Sequence, residues 1–331
     1  MIQQFSRRRF LHVAAGAAGL AVTASRAQAQ AYPARPINMV VPVSAGGTMD
    51  TIARIVAERM RPTLGQPVVI ENVTGASGTI AVGQVARASP DGYTLSYGAW
   101  ATHVVNGAIY KLNYDALNDF EPVALTASSA WLVAAKSAVP ANNLQELIDW
   151  LRAHPDVTCG TSGAGGPGHV AGVLFQKLTG TRFQFVPYRG VAPAMQDLVA
   201  GTIDILIADP ITGIPQFRAG KIKVYAVTAK ARRPAAPEIP TVDEAGLPGL
   251  YMAPWHGIWA PKGTPKPIID VLNKSIVEGL ADPAAQQRLS DLGADVPPRE
   301  QQTPEAFGAY HKAEIEKWWP IIKETGIKPG G

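Results

Sequence analysis

Cysteine is almost missing from this chain of 331 residues: Cys159 stands alone. A single thiol excludes an intrachain disulfide framework and any zinc or iron–sulfur site built from several cysteines. Charge is also scarce, at 17% of residues against 47% hydrophobic. That balance is too apolar for a disordered chain and too poor in charge for a coiled coil. The formal net charge of +4 comes from Arg7, Arg8, Arg9 and Arg26; residues 1–29 hold no acid, and the rest carries 26 basic and 26 acidic residues. A neutral body lacks the clustered Lys and Arg surplus that phosphate backbones attract, which argues against nucleic acid as a partner. Long hydrophobic runs are lacking too: after the N-terminus no stretch approaches the ~20 residues of a membrane span. His103, His154, His169, His256 and His311 show no metal-ligand spacing, and no lysine follows a glycine loop as it does in a P-loop, so no metal or cofactor is implied.

What the chain does have begins with an address. Ser6-Arg7-Arg8-Arg9-Phe10-Leu11 is followed by an Ala-rich run to about Val22 and then by Ala27-Gln28-Ala29. A charged start, a short apolar stretch and an A-x-A site make an export signal, and the paired arginines indicate the twin-arginine (Tat) route with cleavage after Ala29. A membrane anchor is the competing reading, but the apolar run is too short and consists mostly of Ala and Gly. The expected product is a soluble periplasmic protein.

The length suits about two domains of ~150 residues. From Tyr32 onward, short β-rich runs alternate with helical spacing, predicting an α/β fold with parallel sheets covered by helices. Strands are predicted at 37–43, 68–70, 94–97, 157–159, 184–186, 203–208, 224–228 and 257–260. Asn143 and Glu146 form a capping box for a helix over 144–153, and Asp282-Pro283 and Thr303-Pro304 place a capping side chain before a first-turn proline. Three loops, 44–48, 74–79 and 161–168, bring glycines to the start of a helix. There, unpaired N–H groups and the positive dipole end favour a carboxylate or phosphate. At the same end of parallel strands they outline a ligand crevice. One enzymatic alternative stays open. Gly160-Thr161-Ser162-Gly163-Ala164 approaches the G-x-S-x-G pattern of serine hydrolases, with Ser162 as nucleophile and His169 seven residues on, although Ala164 holds the last glycine position.

Nearly end to end, ordered blocks carry a resemblance. They include Tyr32-Pro33-Ala34-Arg35-Pro36-Ile37, Ala45-Gly46-Gly47 to Asp50, Gly65-Gln66-Pro67-Val68-Val69-Ile70-Glu71-Asn72, Gly75-Ala76-Ser77-Gly78, Pro90-Asp91-Gly92-Tyr93-Thr94-Leu95, Val186-Pro187-Tyr188-Arg189-Gly190 and Ala260-Pro261-Lys262-Gly263-Thr264-Pro265. Together they resemble the Bug-type solute-binding proteins of the tripartite tricarboxylate transporter systems. The resemblance implies a two-lobed periplasmic binding protein fold, type II-like, each lobe a mostly parallel sheet flanked by helices, with a hinge that closes on the ligand. Lobe one is expected at 30–126 plus 254–331 and lobe two at 127–253. It further implies a monomer that performs no catalysis, takes a small carboxylate and delivers it to a permease of one large and one small subunit; a sensor role is also compatible.

By position, the resemblance assigns Ala45, Gly46, Gly47 and Thr48 to one carboxylate, with Asp50 either fixing that loop or capping the next helix. Ala76, Ser77 and Gly78 join from the same lobe. Thr161, Ser162, Gly163 and His169 resemble the opposite clamp, His169 having capping or packing as its alternative. Asp209 points to the cleft or orders its loop. Trp100 and Thr102 lie where relatives carry small residues, with Trp131 and Trp255-His256 near the hinge; a tryptophan in the cleft would suit an aromatic or otherwise apolar acid. Arg189 is the one cation within these motifs, so a triply charged ligand fits poorly.

Overall fold

Short strands of four to nine residues, most of them followed by a helix, build two five-stranded sheets covered by helices in this computed structural model. The structure describes residues 32–163 and 165–324. The export signal expected at residues 1–29 lies outside them, as does Ala164 of the third glycine loop. From Arg35 onward the described residues belong to one compact unit.

The first sheet uses β1 (Ile37–Val41), β2 (Val68–Asn72), β3 (Thr94–Ala99), β4 (Phe120–Ser128) and, from much later in the chain, β10 (Trp255–Pro261), in the order β2-β1-β3-β10-β4. The second uses β5 (Leu132–Lys136), β6 (Thr158–Thr161), β7 (Gln184–Pro187), β8 (Ile205–Ala208) and β9 (Ile222–Val227), in the order β7-β6-β8-β5-β9. Helices of lobe one are α1 (Thr48–Leu64), α2 (Thr79–Ala86) and the short α3 (Asn106–Ile109). Those of lobe two are α4 (Leu144–Ala153), α5 (Pro167–Thr179), α6 (Val191–Ala200) and α7 (Pro210–Arg218). After β10 come α8 (Lys266–Leu280), α9 (Pro283–Asp291) and α10 (Pro304–Glu324). In α1, Ile52, Ile55, Val56, Met60 and Leu64 fall on one buried stripe, and Gly65, at φ 68°, ends the helix in the left-handed conformation with its N–H on the Arg61 carbonyl. Asn143 and Asp282 cap α4 and α9 as predicted.

Strand direction settles where a site can lie. β1, β2 and β3 are mutually parallel, while β10 runs antiparallel between β3 and β4. β4 therefore points the same way as β1 to β3, and its carboxyl end passes within three residues into β5 of the other sheet. In the second sheet β5 is the antiparallel member, between β8 and β9. β9 thus shares the direction of β6, β7 and β8, and from its carboxyl end the chain returns to lobe one. The carboxyl ends of the codirectional strands of each sheet, β1 to β4 and β6 to β9, consequently face the opposite lobe, which is where open α/β sheets bind ligands.

The two connections lie side by side at the hinge. Ser129 N–H donates to the Pro254 carbonyl (2.9 Å), Met252 N–H to Thr228 (3.1 Å) and Thr228 N–H to Trp131 (2.8 Å). The buried Thr228 hydroxyl meets the Met252 carbonyl (2.6 Å) and accepts the Trp131 N–H (2.9 Å). On the other flank, residues 128 and 295 form an isolated antiparallel bridge, and Arg233 of lobe two ion-pairs with Asp295 at 2.8 Å. No described helix is long and apolar enough to cross a membrane.

Candidate ligand-binding cleft

After β1, residues 44–48 are exposed and lead into α1, whose N-cap is Gly47 with no side-chain cap. Asp50, 2% exposed, is placed to tie this loop rather than to cap the helix. Its Oδ2 accepts the Gly46 N–H (2.9 Å) and Arg54 Nε (2.9 Å), and its Oδ1 accepts Asn72 Nδ2 (2.9 Å). Asn72 Nδ2 also reaches the Val43 carbonyl at 3.0 Å. The Arg54 bond, helped by those from Gly46 and Asn72, overrides burial and holds the Asp50 carboxyl down to about 2. The expected four-residue cradle is therefore shorter by one donor: the Gly46 amide is already taken. The N–H groups of Ala45, Gly47, Thr48 and Met49 find no acceptor among the described residues.

After β2 the backbone turns left-handed for four residues in a row, Gly75 (φ 116°), Ala76 (44°), Ser77 (54°) and Gly78 (86°). Ala76 and Ser77 carry a side chain where only glycine is comfortable. Gly78 is required by crowding as well: a Cβ there would stand 2.9 Å from both Pro42 Cβ and Thr102 Cγ2. The ends of β1, β2 and β3 thus converge on this glycine. After β3 the chain coils through a π-helical turn, Ala101–Val105. Here two expected contacts move inward. Trp100 is 1% exposed, edge-on to Trp318 with centroids 5.4 Å apart, so it belongs to the core and not to the cleft wall. The Thr102 hydroxyl is buried and engaged with the Ala99 N–H (2.9 Å) and His103 Nδ1 (3.0 Å). Trp255 is likewise core, packed against Phe307 and donating Nε1 to Glu314 at 3.2 Å, and His256 is stacked on Tyr97.

In lobe two, the Thr161 carbonyl accepts the Tyr188 N–H (2.8 Å), joining the loops after β6 and β7. Ser162 and Gly163 are half-buried, and α5 starts from Gly166, again without a side-chain cap. His169 Nδ1 accepts the Gly165 N–H at 3.0 Å, which assigns the proton of the neutral ring to Nε2; the ring lies edge-on to Phe185 and burial lowers its pKa. That bond removes the base a hydrolase would need, and Ser162 has no hydrogen bond to His169 among the described residues. Gly168 lets the Trp131 ring close on the first turn of α5, a Cβ there standing 3.1 Å from that ring. Asp209 turns out to be the N-cap of α7, its Oδ1 on the Thr212 N–H (2.9 Å) and its Oδ2 on the Thr212 hydroxyl (3.1 Å). It orders its own loop, and its charge disfavours an anion there.

Sequence reasoning left two features out of the site. The loop after β7 ends in Gly190 (φ 127°), the side-chain-free N-cap of α6, beside exposed Arg189; a lone glycine between a strand and a helix was the available signal. Asn106, opening α3, and Tyr110, just after it, lie at the far end of segment 100–110, the third loop of lobe one in strand order, and hold Ser77 from behind, with Ser77 Oγ to Tyr110 Oη at 2.8 Å and Asn106 Nδ2 to the Ser77 carbonyl at 2.9 Å.

A family model described as "Tripartite tricarboxylate transporter family receptor" matches residues 52–327. An Agrobacterium vitis protein named for the TAR-I ttuE-ttuC' intergenic region is 37% identical over 302 residues, 91% of this chain and 87% of that one. Among solved structures, MatC from Rhodopseudomonas palustris with bound malate is 38% identical, with TM-score 0.72, covering 88% of this chain and 100% of that one. Rpa4515 of R. palustris with adipate is 34% identical, with TM-score 0.74, covering 90% and 100%.

Proposed function

The chain belongs to the tripartite tricarboxylate transporter receptor family, whose members are periplasmic solute-binding proteins and not enzymes, and from that premise we propose that it closes its two lobes on an aliphatic dicarboxylate. One observation supports this most: at the cleft, α1, α5 and α6 begin at Gly47, Gly166 and Gly190, none supplying a side-chain cap, whereas α4, α7 and α9 are capped by Asn143, Asp209 and Asp282. Uncapped first turns leave N–H groups and positive dipole ends available to an anion from each lobe. The ligand contacts in this reading are Ala45, Gly47, Thr48 and 75–78 from lobe one, with Ser162, Gly163, His169 Nε2 and the amides of 189–190 from lobe two. Malate and adipate, carried by the two R. palustris relatives, have one carboxylate for each side. A third carboxylate would find only Arg189, and with Trp100 and Trp255 in the core the case for an aromatic acid weakens. Residues 1–29 serve as a twin-arginine signal in this proposal, and the closed monomer hands its ligand to a permease of one large and one small subunit.

Melting curves with malate, adipate, citrate and benzoate test the reading. A bound dicarboxylate at 100 times Kd adds about 2.7 kcal/mol of stability, so malate or adipate should raise Tm well above the shift from benzoate or citrate. No response to either dicarboxylate overturns it.

A further inference from the structure

We propose that Tyr110 is a positioning residue for ligand specificity: it donates its phenol proton to Ser77 Oγ and so turns the Ser77 hydroxyl outward as a donor to a ligand carboxylate. The proposal rests on the carboxylate reading of the cleft. Ser77 is exposed at the tip of the second loop, while Tyr110 is half-buried behind it, where the third loop ends. The two oxygens are 2.8 Å apart, and geometry alone allows either to donate. Chemistry chooses between the two directions. A carboxylate only accepts, so the serine proton must be free for it; a hydroxyl whose proton already points at Tyr110 has none to give. If the phenol donates, the serine oxygen is satisfied on its inner side and its own proton is left for the cleft, polarised by the bond behind it. A phenol hydroxyl is a stronger hydrogen-bond donor than an aliphatic one, and so the better donor of the two.

The backbone is arranged to permit this. Ala76 and Ser77, at φ 44° and 54°, occupy a conformation that L-residues adopt only when their surroundings enforce it. Asn106, buried in the third loop, does so by holding the Ser77 carbonyl at 2.9 Å, and the Thr79 hydroxyl holds the Ala76 carbonyl at 2.9 Å. Asn106 and Tyr110 belong to one helical turn, the Tyr110 N–H bonding the Asn106 carbonyl at 2.8 Å. A single turn of the third loop therefore grips the second loop by backbone and side chain together.

Calorimetric titration of the full chain with adipate and malate, and with their monoamides, tests the assignment. Tyr110→Phe should weaken the better-bound diacid about tenfold, the scale of one hydrogen bond to a charged group, with apo Tm unchanged. Ser77→Gly, which relaxes the backbone and removes the hydroxyl, should weaken it at least as much. The double variant should be no worse than Ser77→Gly alone, and each single loss should shrink for the monoamide that places its neutral end at this loop. Wild-type affinity in Tyr110→Phe, or additive losses in the double variant, overturns the relay while leaving the carboxylate reading intact. Losses larger for Tyr110→Phe than for Ser77→Gly overturn the assigned direction. Wild-type protein that binds neither diacid overturns the underlying reading and the relay with it.

Discussion

At the scale of single residues, the cleft is defined less by what its side chains provide than by what they leave open. Gly47 sits in extended backbone (φ −76°, ψ 167°), where any residue fits, and a Cβ there would meet nothing closer than the Ser44 carbonyl at 3.9 Å. Gly47→Asp should therefore fold, changing apo stability by less than about 1 kcal/mol. Its carboxylate would occupy the first turn of α1 in place of the ligand's, and diacid affinity should fall at least about tenfold. Gly47→Asn, a neutral cap, should lose less. Equal losses in the two variants, measured by calorimetry, would show that bulk and not charge is at issue. The residue types at 45–48 and 161–163 were legible because glycine before a helix has a narrow set of uses. The roles of Asn106 and Tyr110 were not, since they reach Ser77 across separations of 29 and 33 residues. Nor could Trp100 be placed: only the assembled core shows that its ring turns toward Trp318.

At the scale of elements, the starts of α4 and α9 were predicted, because Asn143 and Asp282 act on N–H groups two or three positions away, whereas α7, capped by Asp209, was not. β4 and β5 were not assigned at all. β4 includes Pro122 and β5 reads LVAAK, neither alternating nor rich in β-branched residues, and both owe their conformation to partners far along the chain, β10 for one and β8 and β9 for the other. The hinge inherits that dependence. Thr228 supplies one hydroxyl to both connections, and Thr228→Val keeps the shape but removes those bonds. It should cost about 1–3 kcal/mol, seen as a lower denaturant midpoint, with Thr228→Ser recovering most of the loss. An unchanged midpoint would mean that the backbone bonds alone hold the connections together.

At the scale of the whole molecule, acid should weaken the fold through lobe one. His103 and His311 are buried there and His256 is half-buried, and desolvation lowers each pKa, His256 to about 4 and His103 well below the usual value. Between pH 6.5 and 4 the unfolded chain takes up these protons and the folded one does not, so stability is full above 6.5 and is lost as pH falls through that window. His256 alone accounts for on the order of 3 kcal/mol at 1.36 kcal/mol per pH unit. Burial raises the carboxyls of Asp295 and Glu314, which pull the other way, but Arg233 offsets part of that at Asp295, and Lys317 with the Trp255 and Trp318 indoles does so at Glu314, whereas nothing offsets the burial of His103 and His256. Unfolding midpoints should decline from pH 7 to 4.5, and His256→Phe should flatten the slope; a midpoint independent of pH would contradict this account. The strand order has one more consequence, for biogenesis. β4 touches its own sheet only through β10, made more than 120 residues later. During synthesis the middle of the chain can therefore complete all five strands of its sheet while β4 waits without a neighbour, and the first sheet closes only when the return segment slots in between β3 and β4.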